Sequence, residues 1–317
     1  MDNNILVTAI GSFSADCVIT NLLNNNYKVI GCDIYTPEWH WVSQKCFKTY
    51  QVPLATDESY VVALLNICKI ENVSYIFPLT DVEIDVLNKN RSIFQENNII
   101  LCIQSEKCLS YVRNKLLLSE FFKKDSKVKI PRFFSKNDNI IKFPIPAIAK
   151  PVNGRSSEGI IKINTIEELN RERIKANYII QQYIDGNVYT VDYVRDEFGN
   201  SFAIPREELI RTKNGAGITV RVLYDENLIN IVSYIGNKLN VVGCINMEFI
   251  LHDADYYLID INPRFSAGVA FSNFVGYDMV ISHLNCFLRK EILSKIVFKE
   301  QIITKYYQEK LLWKNEL

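Results

Sequence analysis

The stretch that decides the fold is YYLIDINPRFSAG, residues 256–268. Leu258, Asp260 and Asn262 alternate with Ile259 and Ile261 before a Pro-Arg pair ends the run. Successive side chains of a strand point to opposite faces. The spacing therefore predicts a strand with a carboxylate and an amide on one face and two isoleucines on the other. Just upstream, CINMEFIL (244–251) sets Asn246, Glu248 and Ile250 against Ile245, Met247 and Phe249 in the same alternation. The polar link HDAD (252–255) joins the two as a hairpin. A three-residue loop at 253–255 puts Glu248 directly opposite Asp260, with Asn262 two residues further along the same face. Cβ atoms so paired lie about 5 Å apart, and two carboxylates at that distance repel unless a cation lies between them. Hard oxygen donors on a rigid hairpin suit Mg²⁺, which takes one or two carboxylates and completes its shell with phosphate and water.

A metal that shares phosphates needs a cradle, and AKPVNGRSSEG (149–159) is a candidate. Lys150 ends a strand, and Gly154, Ser156, Ser157 and Gly159 leave backbone N–H groups free to approach phosphate oxygens. No Gly-Lys-Ser/Thr follows, so this is not a Walker loop; the same composition also suits an exposed turn. Around it the texture is mixed. Residues 105–125 read as one long helical stretch with Tyr111, Lys115, Leu118 and Phe122 near one face. TIEELNRERIKA (165–176) reads as a helix, YIIQQYI and NVYTVDYVRD as strands, and a further helix falls near 225–238. Strands and helices in this order predict an α+β region.

The first hundred residues differ. ILVTAI, a turn at Gly11, a helix, and YKVIGCDI ending at Asp33 form a βαβ unit. Further helices at about 57–71 and 81–90 alternate with strands at 73–80 and 98–103. The expectation is a small, doubly wound parallel α/β domain. Only the first glycine of a dinucleotide fingerprint is present, and Phe13 occupies the place where backbone must approach a pyrophosphate. Asp33 could hold a ribose or simply end its strand. Trp39 and Trp41, in PEWHW, could line a pocket or cap the sheet by packing.

Lys plus Arg and Asp plus Glu number 36 each in 317 residues, which argues against a general nucleic-acid binder. Eight cysteines form no Cys-x-x-Cys and scatter through apolar segments, as reduced buried thiols do. The three histidines show no zinc-type spacing. MDNNILVTAIG lacks the charged flank and apolar run of a signal peptide, and no run approaches the roughly 20 apolar residues of a membrane span. A soluble cytoplasmic protein without a membrane or nucleic-acid partner is expected.

Taken in order, RNK at 113–115, the Lys-Pro-Gly/Ser loop, IIQQYIDG, and a Glu hairpin ending Asp-x-Asn-Pro-Arg resemble the ATP-grasp superfamily, particularly its carbamoyl-phosphate-synthase-like and carboxylate–amine ligase members. FPLTDVEIDVL (77–87) resembles a segment of their N-terminal α/β domain. The resemblance implies an N-terminal domain at 1–105, a linking helix and small subdomain at 106–185, and a large subdomain at 186–317 carrying the metal site and C-terminal helices. It implies ATP and Mg²⁺ as cofactors, with Mn²⁺ as a substitute. Lys115 and Lys150 would contact ATP phosphates, and the loop containing Gly154, Ser156, Ser157 and Gly159 would cover them. Gln181, Gln182, Tyr183 and Ile184 would form the adenine hinge, and Glu248, Asp260 and Asn262 the metal ligands. Arg264 would steady the reacting group, with Arg206 and Arg211 also facing nucleotide or acyl phosphate. Two positions depart from the pattern: Asp260 stands where Glu is usual, and Val188 where a ribose-binding Glu is common. The implied activity joins a small-molecule carboxylate to an amine, and family habit implies a homodimer. Carbamate phosphorylation, a nicotinamide oxidoreductase and a nucleotide-binding module without turnover are the alternatives.

Overall fold

The computed structural model describes residues 4–135, 144–154, 158–169 and 177–312. Its first sheet is parallel. Strands β1 (Asn4–Val7), β2 (Lys28–Asp33), β3 (Lys48–Gln51), β4 (Val73–Phe77) and β5 (Ile100–Leu101) lie in the order β3-β2-β1-β4-β5. Helices α1 (Ala15–Asn24), α2 (Tyr60–Ile70), α3 (Asp81–Lys89) and α4 (Arg91–Glu96) connect them. Every residue of β1 is buried, as expected of a central parallel strand covered on both faces. β3 is absent from the sequence reading: KTYQ is polar and half exposed, typical of an edge. Asp33 pins the turn before α1. One carboxylate oxygen accepts from Gly11 N–H at 2.9 Å and the other from Tyr35 N–H at 3.1 Å, so it serves as a turn clamp.

The predicted long helix at 105–125 is two helices, α5 (Glu106–Val112) and α6 (Lys115–Phe122). Asn114 breaks it. Its backbone is extended and its side chain accepts from Leu117 N–H, an N-cap that the apolar spacing concealed. Lys115 is thereby the first residue of α6.

The second sheet is antiparallel: β6 (Phe133–Ser135), β7 (Ala147–Pro151), β8 (Ile161–Ile163) and β9 (Tyr178–Gln182), in the order β6-β9-β7-β8, with α7 (Ile166–Leu169) following β8. The third is also antiparallel. It contains β10 (Asn187–Arg195), β11 (Ser201–Arg211), β12 (Gly217–Val222), β13 (Gly243–His252), β14 (Asp255–Asn262) and β15 (Gln301–Thr304), in the order β14-β13-β10-β11-β12-β15. Helix α8 (Glu226–Lys238) precedes β13; α9 (Val269–Phe274) and α10 (Met279–Phe287) follow β14. One apolar core runs from Leu6 and Ile30 through Leu109 and Leu118 to Val191, Met247 and Ile261, so the first and third sheets share it. All eight cysteines are free thiols, six of them buried.

The hairpin β13–β14 differs from expectation in an instructive way. Its turn has two central residues, Asp253 and Ala254, both with positive φ (47° and 66°), the pairing that suits strand twist. Near the turn, Ile250 pairs with Tyr257 and Phe249 with Leu258; beyond a bulge, Glu248 pairs with Asp260 and Asn246 with Asn262. Ile259 is the extra residue, and a bulge resets which side chains share a face. The face assignment is corrected accordingly. Leu258 and Ile261 enter the core, while Ile259, Asp260 and Asn262 face a cleft.

Candidate functional site

All three sheets line one cleft of about 690 Å³. The β1–α1 turn contributes Gly11 to Ser14, β7 and the loop after it Lys150 and Gly154, and the third sheet Glu248, Asp260, Asn262 and Arg264. The two facing carboxylates are each met by a cation. Arg211 Nη2 lies 3.0 Å from Glu248 Oε2, and Lys115 Nζ lies 2.9 Å from Asp260 Oδ1. Lys115 also donates to Gly154 O at 3.1 Å, tying the cradle loop to the metal-side strand. Asn262 Nδ2 is 3.2 Å from Asn246 Oδ1 and 3.5 Å from Glu248 Oε1.

Lys150 Nζ donates at 2.9 Å to Ile259 O, the carbonyl of the bulge residue. Burial pushes its pKa down to about 8 despite the opposing charge of Asp260. Arg264 Nε and Nη2 both lie 3.0 Å from Asp81 Oδ2, and Nη1 donates to Phe265 O at 3.2 Å.

Arg211 and Lys115 take Glu248 Oε2 and Asp260 Oδ1, so the facing carboxylates are already balanced; their second oxygens, with Asn262, are the donor set left for a dication. Among the described residues no group of three or more His, Cys, Asp or Glu could hold a metal. Two carboxylates and an amide instead suit an ion such as Mg²⁺ that draws its other ligands from phosphate and water.

Two profiles of known families match the chain. Residues 112–268 match an ATP-grasp domain and residues 5–102 a PylC-like N-terminal domain. This chain carries an ATP-grasp domain. It is 31% identical over 164 residues to the carbamoyl phosphate synthase large chain of Caldanaerobacter subterraneus subsp. tengcongensis; the match takes in 45% of this chain and 15% of that protein. Its fold is similar to biotin carboxylase from Campylobacter jejuni in complex with β,γ-ATP (TM-score 0.80, 16% identity, 94% of this chain and 74% of that one). It is also similar to N5-carboxyaminoimidazole synthetase from Staphylococcus aureus (TM-score 0.77, 15% identity, 95% and 82%).

Within this ATP-grasp cleft the remaining expected residues are placed unevenly. Gly154 lines it, Gly159 has φ of +73°, and Ser156 and Ser157 lie outside the described residues. Val188 lines it beside Ile160, Ile250 and Ile259, an apolar wall. Gln181, Gln182, Tyr183 and Ile184 sit at the exit of β9, off the lining; Gln182 N–H is donated to Arg132 O and Tyr183 N–H to Pro146 O. Arg206, expected to face phosphate, borders the cleft but is 1% exposed, and its charge is balanced by Asp192 (2.7 Å) and Glu208 (3.3 Å), with Ser266 Oγ at 2.9 Å. Trp39 and Trp41 are 68% and 39% exposed and off the lining. Sequence reading missed Asp81 and Thr190 among the cleft residues, and gave Asn246, set on the Glu248 face, no role. For Asp81 a signal existed: Thr80 and Glu83 form a capping box that marks the start of α3 and buries its first residue.

Proposed function

We propose that this protein is an ATP- and Mg²⁺-dependent ligase that activates a small-molecule carboxylate and joins it to an amine. The observation that carries the reading is the convergence of Glu248, Asp260 and Asn262 with Lys115, Lys150, Arg211 and Arg264 on one cleft. A substrate carboxylate oxygen attacks the γ-phosphorus of ATP; the bond to the β-phosphate oxygen breaks, leaving an acyl phosphate and ADP. The amine then attacks the acyl carbon, phosphate departs with the C–O electron pair, and the amine's proton goes to solvent. No side-chain nucleophile is needed. Glu248, Asp260 and Asn262 would hold Mg²⁺, or Mn²⁺ in its place, which supplies neutralising charge to the phosphates.

Lys115 and Lys150 hold phosphate oxygens, and Arg211 and Arg264 stabilise charge that develops on the transferring group. The apolar wall of Ile160, Val188, Ile250 and Ile259 takes the base, while Gln181, Gln182, Tyr183 and Ile184, expected as its hinge, lie off that wall. The loop bearing Gly154, Ser156, Ser157 and Gly159 shields the acyl phosphate from water. The resemblance to a carbamoyl phosphate synthase favours a second reading, in which the carboxylate is a carbamate and the product its phosphate.

The test is ADP formation from Mg-ATP across pools of amino acids and small carboxylic acids. Release that needs one acid and one amine, and is abolished in Glu248→Ala, is the expected result. Absence of Mg-ATP binding would sink the reading.

A further inference from the structure

Arg264 does not hold its own position. Its guanidinium reaches out of the ATP-grasp region to a carboxylate 183 residues earlier in the chain, Asp81 of the N-terminal sheet's α3. Asp81 Oδ2 accepts from Nε at 3.0 Å and is ion-paired with Nη2 at 3.0 Å, while Nη2 donates to Asn262 Oδ1 at 3.5 Å. The other oxygen, Oδ1, is buried without a hydrogen bond and lies 3.6 Å from Arg113 Nη1. Arg113 is in turn held by Asp85 through two contacts of 2.8 Å. Asp81, Asp85, Arg113 and Arg264 thus form a neutral quartet that bridges α3, the corner between α5 and α6, and the exit of β14.

Asp81 is well fixed for such a role. It is 3% exposed and begins a helix whose first turn is closed by Thr80 and Glu83. Glu83 is itself anchored by Tyr60 Oη at 3.0 Å. Burial works to raise the Asp81 pKa, but the charges of Arg264 and Arg113 outweigh it and hold the carboxyl below the ordinary aspartate range. Arg113 lies two residues before Lys115, which touches Asp260, so the same network borders the phosphate side of the cleft.

We infer that Asp81 is a positioning residue for the reaction: the N-terminal domain sets the aim of Arg264 without touching substrate itself. This rests on the ligase reading above, in which Arg264 meets the transferring group. Misplacing a positioned group by about 1 Å costs on the order of 10²-fold in rate. Asp81→Asn keeps the shape and one acceptor oxygen but removes the charge.

The experiment compares Asp81→Asn with wild type in four measurements: thermal unfolding, Mg-ATP affinity by calorimetry, kcat for substrate-dependent ADP release, and phenylglyoxal labelling of Arg264 mapped by mass spectrometry. The expected result is a folded protein with wild-type Mg-ATP affinity, kcat lower by on the order of 10²-fold, and faster labelling of Arg264. Wild-type kcat in the variant, or a loss of kcat matched by a loss of Mg-ATP binding, overturns the positioning role. Should Asp81→Asn not fold, Arg113→Gln removes half of the hold and is expected to show a smaller loss with the same rise in labelling; no change in either overturns the inference. A wild-type protein that does not bind Mg-ATP overturns the ligase reading instead, and the labelling still decides whether Asp81 holds Arg264.

Discussion

Lys150 illustrates how one residue's chemistry is set by its neighbours. Its ammonium is largely withdrawn from water and meets the carbonyl of Ile259, so burial brings its pKa down from 10.5 to about 8. A phosphate beside it would favour the charged form and raise that pKa again. Nucleotide affinity is therefore expected to be greatest below about pH 8 and to fall as pH rises through that value. Binding should take up a proton at about pH 9 and none at about pH 6. Calorimetry in buffers of different ionisation enthalpy reads this directly; proton uptake that persists in Lys150→Met would assign it elsewhere. Lys150 was legible in the sequence because a lysine between PAIA and proline has no ordinary reason to be there. Its carbonyl partner was not legible, because that contact depends on a bulge.

The bulge in β14 is the element-level device. With Ile259 removed, the two-residue turn alone would still set Glu248 opposite Asp260, and Leu258, Asp260, Ile261 and Asn262 would keep their faces by simple alternation. What deletion removes is the one carbonyl that Lys150 uses. A variant lacking Ile259 is thus expected to fold and to keep metal-dependent nucleotide binding, with Mg-ATP affinity lower by about tenfold, the value of one hydrogen bond to a charged group. Unchanged affinity in calorimetry would show the bulge to be incidental. Strand patterning exposed the paired acids, since a period of two is local; it could not expose the turn type or the extra residue, which trade against one another without altering which acids face each other.

At the scale of the whole molecule, the first and third sheets are joined by buried polar contacts as well as by a common core. His283 on α10 accepts from Cys244 N–H at Nδ1 (2.8 Å) and lies at Nε2 3.2 Å from Cys102 O, just beyond β5. Gln104 accepts from Val242 N–H and donates to Cys244 O. Burial depresses the His283 pKa from 6.5 to about 3. The unfolded chain therefore binds a proton that the folded protein refuses. Stability present above about pH 6.5 is lost as pH falls toward 3, at about 1.4 kcal/mol per pH unit. Urea unfolding between about pH 6.5 and pH 5 should show that slope, and His283→Gln should flatten it; an unaltered slope would place the proton on another group.

The sequence by itself determined the two kinds of sheet, the hairpin, and the acid–acid–amide set of Glu248, Asp260 and Asn262, because each is written in patterns a few residues long. It did not determine β3 or β15, each at one edge of its sheet: β3 is polar and β15 lies beyond an irregular stretch. Only the tertiary structure decided which cation meets which acid. Lys115 reaches Asp260 across 145 residues, Arg264 reaches Asp81 across 183, and Arg206 is spent in the interior. Charge pairing acts over ångströms of space and not along the chain, so a lysine or arginine has no partner until the sheets have packed.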